Sequence, residues 1–183
     1  SPMSRGLGDV YKRQVQDLFK WRVEQTPDLV AHKFLDRETS YKELDLLSNK
    51  VANGLIKEGC KPDARVAYYG KNSDYFFEFL VGTMKSATVA VGVNWRLAPP
   101  EVVYVLNDSE SEVLFVGEEF YPVIEQIKDE IPKVKKIIAV DDSHETFESY
   151  IAWRDSQVED APGISTSLDD DIIQLYTSGT TGH

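Results

Sequence analysis

The chain has 183 residues, 42% hydrophobic and 28% charged, which is enough for one domain with a real core. Its net charge, 20 − 31 = −11, argues against a nucleic-acid binder, which would show a basic face. Cys60 is the single cysteine, so an intramolecular disulfide is excluded and a reducing, cytoplasmic setting is expected. No stretch approaches the roughly 18 apolar residues needed for a membrane-spanning helix. Peripheral membrane contact and oligomeric state stay open.

Residues 1–14 show neither helical nor strand periodicity, and Ser1 to Gln14 lacks the apolar centre of a signal peptide. Met3 to Gln14 resembles adapter read-through in environmental gene calls; the other reading is a natural disordered tail. This segment is set aside, and residues 15–183 are taken as the domain. Val15 to Gln25 carries Val15, Leu18, Phe19 and Val23 near helical spacing, closed by Thr26-Pro27. Leu29 to Phe34 alternates as a strand does, with His32 on the polar phase and so expected to be exposed. Ser40 and Glu43 form a capping box ahead of an apolar stripe of Leu44, Leu47, Val51, Leu55 and Ile56, which Gly59 closes. Cys60 to Asp63 reads as a turn and Arg65 to Tyr69 as a strand. Asn72-Ser73 should cap a helix over 74–86 with Phe76, Phe77, Leu80, Val81 and Met84 inward. These aromatics suit helix-on-sheet packing better than a fatty pocket.

Thr88 to Val91 has the near-continuous apolar pattern of a buried parallel strand. Pro100 and Glu101 suit the first turn of the next helix, whose apolar side is Val102, Val103, Val105 and Leu106. A strand over 112–116, a helix over 121–130 and a strand over 134–140 follow. Residues 141–171 are strongly acidic, with Arg154 the only cation. A short helix around Phe147, Tyr150, Ile151 and Trp153 is expected, then an exposed linker over 159–168. Asp169-Asp170-Asp171 is better read as a solvated run than as a metal site.

Ile172 to Tyr176 reads as a buried strand, and it feeds Thr177-Ser178-Gly179-Thr180-Thr181-Gly182. Small hydroxyl residues between glycines let a backbone approach a bulky anion and aim N–H and O–H donors at it. The plain alternative is a turn. The loop is not a Walker A motif, since no Gly-Lys-Ser/Thr ends it. It resembles the first part of the phosphate loop of AMP-forming acyl-CoA synthetases and related adenylating enzymes. Asn94, Leu97, Pro100-Glu101, Tyr104, Leu106 and Asp108-Ser109 resemble the family's pattern as well, with a look closest to the fatty-acyl-CoA synthetases. The chain departs from that pattern at Gly92, where Pro is frequent, and at Ser86-Ala87-Thr88, where Ala-Gly-Ala is usual.

Strand–helix alternation implies an α/β fold with a largely parallel sheet, and the resemblance implies that it is the N-terminal part of an adenylate-forming large domain. The resemblance implies ATP-dependent activation of a carboxylic acid, fatty in type, to acyl-AMP and then to acyl-CoA. Thr177, Ser178, Gly179, Thr180, Thr181 and Gly182 would then hold the β- and γ-phosphates, and Mg²⁺ would bridge their oxygens. The partners implied are ATP, coenzyme A and a small carboxylic acid. The resemblance also implies that catalytic residues lie beyond His183, so this fragment alone is expected to be inactive. Two other readings remain: adenylation of an amino or aryl acid for a carrier protein, and a non-catalytic α/β binding module.

Overall fold

A computed structural model describes residues 15–177. Among the described residues six parallel strands form one sheet, in the spatial order Glu148–Ser149, Lys136–Ala139, Val113–Val116, Arg65–Tyr69, Val89–Val93 and Ile173–Leu175, and a separate antiparallel hairpin of Val30–Phe34 and Arg37–Ser40 sits outside it. In chain order the elements are α1 (Val15–Gln25), β1 (Val30–Phe34), β2 (Arg37–Ser40), α2 (Tyr41–Lys57), β3 (Arg65–Tyr69), α3 (Asp74–Lys85) and β4 (Val89–Val93). Then come α4 (Pro99–Asp108), β5 (Val113–Val116), α5 (Tyr121–Ile127), β6 (Lys136–Ala139), β7 (Glu148–Ser149), α6 (Tyr150–Asp155) and β8 (Ile173–Leu175).

Side chains alternate across β3 and so divide the core in two. Val66 and Tyr68 face a cluster with Val51 and Leu55 of α2, Phe79 of α3, and Tyr150 and Trp153 of α6. Ala67 and Tyr69 face the other cluster, with Val102 and Leu106 of α4 and Ile124 and Ile127 of α5. Helices therefore cover both faces, as parallel strands require. Among the described residues no helix is long and apolar enough to cross a membrane.

Local signals explain most boundaries. The Ser40 hydroxyl accepts from Glu43 N–H while the Glu43 carboxylate accepts from Ser40 N–H at 2.7 Å, and such a cap contributes about 1 kcal/mol. Gly59 adopts φ +86°, the left-handed exit of α2 that glycine allows without strain. Glu101 reaches back to Ala98 N–H at 2.7 Å and starts α4.

Several expectations change. Among the described residues β8 pairs with β4 alone, no element covers it, and Ile173 and Leu175 are 46% and 68% exposed. The inward face of α3 is rotated from the expected stripe: Phe79 is buried and Phe77 is 44% exposed. Ser73 occupies the N-cap position without a side-chain cap bond. Asp74, beside it, is held by the Arg37 guanidinium through two bonds of 2.8 and 2.9 Å. Ile56 lies off the α2 stripe, and α5 ends at Ile127 with a 3-10 turn to Glu130. His32 is half-buried against Phe77, ring centroids 5.1 Å apart, because the hairpin folds over α3.

The acidic segment holds a further surprise. Arg154 is buried and donates to Glu78 at 2.9 Å, and Tyr150 donates to the same oxygen at 2.5 Å. This cluster ties α6 to α3; burial pushes the Glu78 carboxyl upward while Arg154 opposes it. Beyond α6 the expected linker is exposed and irregular, and it is strapped to α2 by Asn49 and Asn53, which donate to the carbonyls of Glu159, Val158 and Asp160.

Candidate functional site

All six strands run the same way, so their carboxyl ends share one edge. β4 lies on one side of β3 and β5 on the other, and chain order reverses there. In open α/β sheets ligands bind outside the carboxyl ends at such a reversal. Three segments leave that edge side by side: Gly70-Lys71 after β3, Asn94-Trp95-Arg96 after β4, and Tyr176-Thr177 after β8.

Gly70 and Gly117, following β3 and β5, come very close. A Cβ on Gly70 would lie 3.2 Å from Gly117 N, so side chains there would crowd the neighbouring backbone. Asp141, just past β6, accepts from Glu118 N–H at 3.0 Å and fixes the turn after β5. On the other side of β3, the Arg96 guanidinium lies 4.8 Å from the Trp95 ring centroid and the Lys71 ammonium 5.4 Å from it. Lys71 also pairs with Glu119 at 2.8 Å. The Asn94 side chain accepts from Arg96 N–H at 3.0 Å and shapes the turn. Two cations flanking a half-exposed indole can attract an anion and stack on a planar ring.

Gly92 and Leu175 are the last paired residues of β4 and β8, so Asn94 and Thr177 each stand two residues beyond the paired end. Thr177 is exposed at this edge. Ser178, Gly179, Thr180, Thr181 and Gly182 lie outside the described residues. Tyr176 turns back along the α4 face. Its hydroxyl donates to Asp108 at 2.6 Å, and burial, reinforced by that carboxylate, pushes it up to about 12.

The cations beside Trp95 were not singled out from sequence, because Lys71 and Arg96 are 25 residues apart and only the parallel register brings them together. Among the described residues no group of three or more His, Cys, Asp or Glu gathers to hold a metal.

Comparison with known proteins fits this geometry. The profile of the family described as AMP-binding enzyme matches residues 19–183. A fatty acid–[acyl-carrier-protein] ligase, ScoC of Streptomyces coeruleorubidus, is 42% identical over 147 residues, covering 80% of this chain and 27% of the relative. The long-chain-fatty-acid–CoA ligase FadD13 of Mycobacterium tuberculosis is 34% identical over 171 residues, covering 91% and 33%. The chain thus spans about a third of the length of these curated relatives. Among solved structures, the anthranilate CoA ligase AuaEII in complex with anthranoyl-AMP superposes with a TM-score of 0.88 at 27% identity, covering 93% of this chain and 33% of that one. The inhibitor-bound N-terminal domain of FACL13 from Mycobacterium tuberculosis gives 0.83 at 32%, covering 93% and 42%. A matched span of nearly the whole chain, ending in the glycine- and threonine-rich loop that leaves β8, places this chain in the AMP-binding enzyme family.

Proposed function

We propose that the protein carrying this chain activates a carboxylic acid with ATP and passes the acyl group to a thiol, and that residues 15–183 are the N-terminal part of its adenylation domain. The observation that carries this reading is the family match over residues 19–183, within which the Thr177 to Gly182 sequence directly follows β8. In the first half-reaction a carboxylate oxygen attacks the α-phosphorus of ATP, and the bond to pyrophosphate breaks. In the second, the thiol sulfur attacks the acyl carbonyl, the bond to AMP breaks, and the thiol proton leaves. Thr177 to Gly182 would donate backbone N–H and hydroxyl hydrogen bonds to the β- and γ-phosphates, orienting the in-line attack and stabilising charge on departing pyrophosphate. Mg²⁺ would accompany the phosphates; none of the described residues is assigned to it.

A fatty acid is the favoured substrate, since ScoC and FadD13 are named for fatty acids. A 3-hydroxybenzoate/4-hydroxybenzoate–CoA ligase of Thauera aromatica, 30% identical over 184 residues, supports an aryl acid as the second reading. Coenzyme A is the favoured acceptor, with an acyl carrier protein, as named for ScoC, the alternative. The buried free thiol of Cys60, pushed up to about 11 by burial, suits a reducing cytoplasmic setting. The test is exchange of labelled pyrophosphate into ATP by the full-length enzyme. Exchange dependent on fatty acid is expected; exchange only with amino acids would overturn the reading.

A further inference from the structure

β8 poses a mechanical problem. It is three residues long, its Ile173 and Leu175 are exposed among the described residues, and the proposed phosphate loop follows it directly in sequence. Its pairing with β4 covers three residues. Among the described residues, a row of side chains holds it as well. Arg65 Nε, at the start of β3, donates to Gln174 Oε1 at 3.0 Å. Gln174 Nε2 donates to the Tyr176 hydroxyl at 2.8 Å, and that hydroxyl donates to Asp108 Oδ2, at the end of α4, at 2.6 Å.

The direction of this row is fixed by chemistry. A guanidinium can only donate and an ionised carboxylate can only accept, so the amide and the hydroxyl between them have one orientation each. Arg65 is itself braced by Asp63 at 2.8 Å and Asp171 at 3.4 Å. The Tyr176 ring packs edge-on to Tyr104, centroids 6.4 Å apart, and against the α4 cluster. The row thus runs from β3, two strands in from β8, across β8 to a helix, and its last member but one is the residue just before Thr177.

We propose that Arg65, Gln174, Tyr176 and Asp108 are positioning residues that lock the register of β8 and so set where the phosphate loop stands. The inference rests on the acid-activating reading above. They touch no substrate; they act through the backbone between Tyr176 and Thr177.

The test uses the full-length enzyme and pyrophosphate exchange. Tyr176→Phe keeps the ring and removes both hydroxyl bonds; KM for ATP should rise roughly fivefold, the scale of one lost hydrogen bond, with KM for the acid unchanged. Asp108→Ala should match it, whereas Asp108→Asn, which keeps an acceptor oxygen, should restore nearly the original KM. Amide hydrogen exchange at Leu175 to Thr177 should quicken in Tyr176→Phe and Asp108→Ala, and this readout needs no turnover. An unchanged KM for ATP in Tyr176→Phe, an equal rise in both KM values, or Asp108→Asn as impaired as Asp108→Ala would overturn the lock. If the unsubstituted enzyme exchanges pyrophosphate with no acid, the functional reading falls, and the hydrogen-exchange result alone decides the lock.

Discussion

Gly82→Ala tests the close crossing of α3 over α2. Gly82 sits within α3 where that helix crosses α2, and a Cβ there would lie 2.5 Å from Val51 Cγ1 and 2.7 Å from Val51 Cβ. Contacting carbons prefer about 3.5–4.0 Å. Val51 is fully buried and β-branched, so one χ1 rotamer dominates in a helix. Turning it would move Cγ1 only, because Cβ moves with the α2 backbone; the helices must separate by about 1 Å. Overpacking of this kind costs about 1–3 kcal/mol, and the contact to a fixed Cβ puts it in the upper part of that range. Replacing an interior helical glycine by alanine returns about 0.8–1.0 kcal/mol. A net loss of roughly 1–2 kcal/mol is expected, a fall in Tm of several degrees for a domain of this size. Urea unfolding of the purified protein measures it. Val51→Ala should cost less in the Gly82→Ala background than alone, since it removes one of the two clashes. Stability equal to or above that of the unsubstituted protein would refute the reasoning, for propensity would then outweigh the crossing.

Ala87 stands at φ +55°, a left-handed conformation that costs an L residue about 1–2 kcal/mol, while glycine would lose about 0.4–1 kcal/mol through unfolded-state entropy. Ala87→Gly should therefore stabilise by roughly 0.5–1 kcal/mol in the same urea assay, and a loss of stability would contradict the strain argument. His32 is held below its ordinary 6.5 mainly by desolvation, with Asp74 opposing. The unfolded chain therefore takes up its proton first, and stability falls as pH drops through 6.5, levelling off below the folded value. His32→Phe should lose this dependence, and parallel wild-type and variant curves between pH 7.5 and 5 would count against it. In the full-length enzyme, Thr180→Ala and Thr181→Ala should slow single-turnover acyl-AMP formation by about 10²-fold or less and leave fatty-acid affinity unchanged. An unaltered rate would remove those hydroxyls from the phosphate site.

The sequence carried the architecture because its signals are local. The Ser40–Glu43 box, the helical spacing of Val102, Val105 and Leu106, and the apolar run at Val89 each name one element without reference to another. The missed features depend on long-range placement. Whether Ile173 and Leu175 are buried depends on whether anything covers β8, which no periodicity in the segment reports. Glu78 looks like a solvent residue among Phe76, Phe77 and Phe79; Arg154, 76 residues later, turns it into half of a buried pair. The Ser86-Ala87-Thr88 departure from the family pattern was visible, but its consequence, an alanine at positive φ, needed the backbone. Of the proposed loop, only Thr177 can be placed structurally, at the carboxyl edge beside Asn94.

A net charge of −11 would oppose the ATP binding proposed above if it acted uniformly, and the sheet geometry removes the difficulty. Charges separated by more than about 8 Å in physiological salt are largely screened. The acids before β8 gather near the amino edge, where Asp171 pairs with Arg65 at the start of β3. β3 is five residues long, so that edge lies about 13 Å from the carboxyl edge. Glu118, Glu119 and Asp141 do sit at the carboxyl edge, but they follow β5 and β6, and Glu119 is already paired with Lys71. Three strand spacings separate β5 from β8 in the observed order, about 14 Å. Between them stand Lys71 and Arg96, the cations flanking Trp95. The field at a phosphate near Thr177, as proposed, would therefore be set chiefly by Arg96, with Lys71 offset by Glu119. The acidic total acts elsewhere, on solubility and on association with other macromolecules.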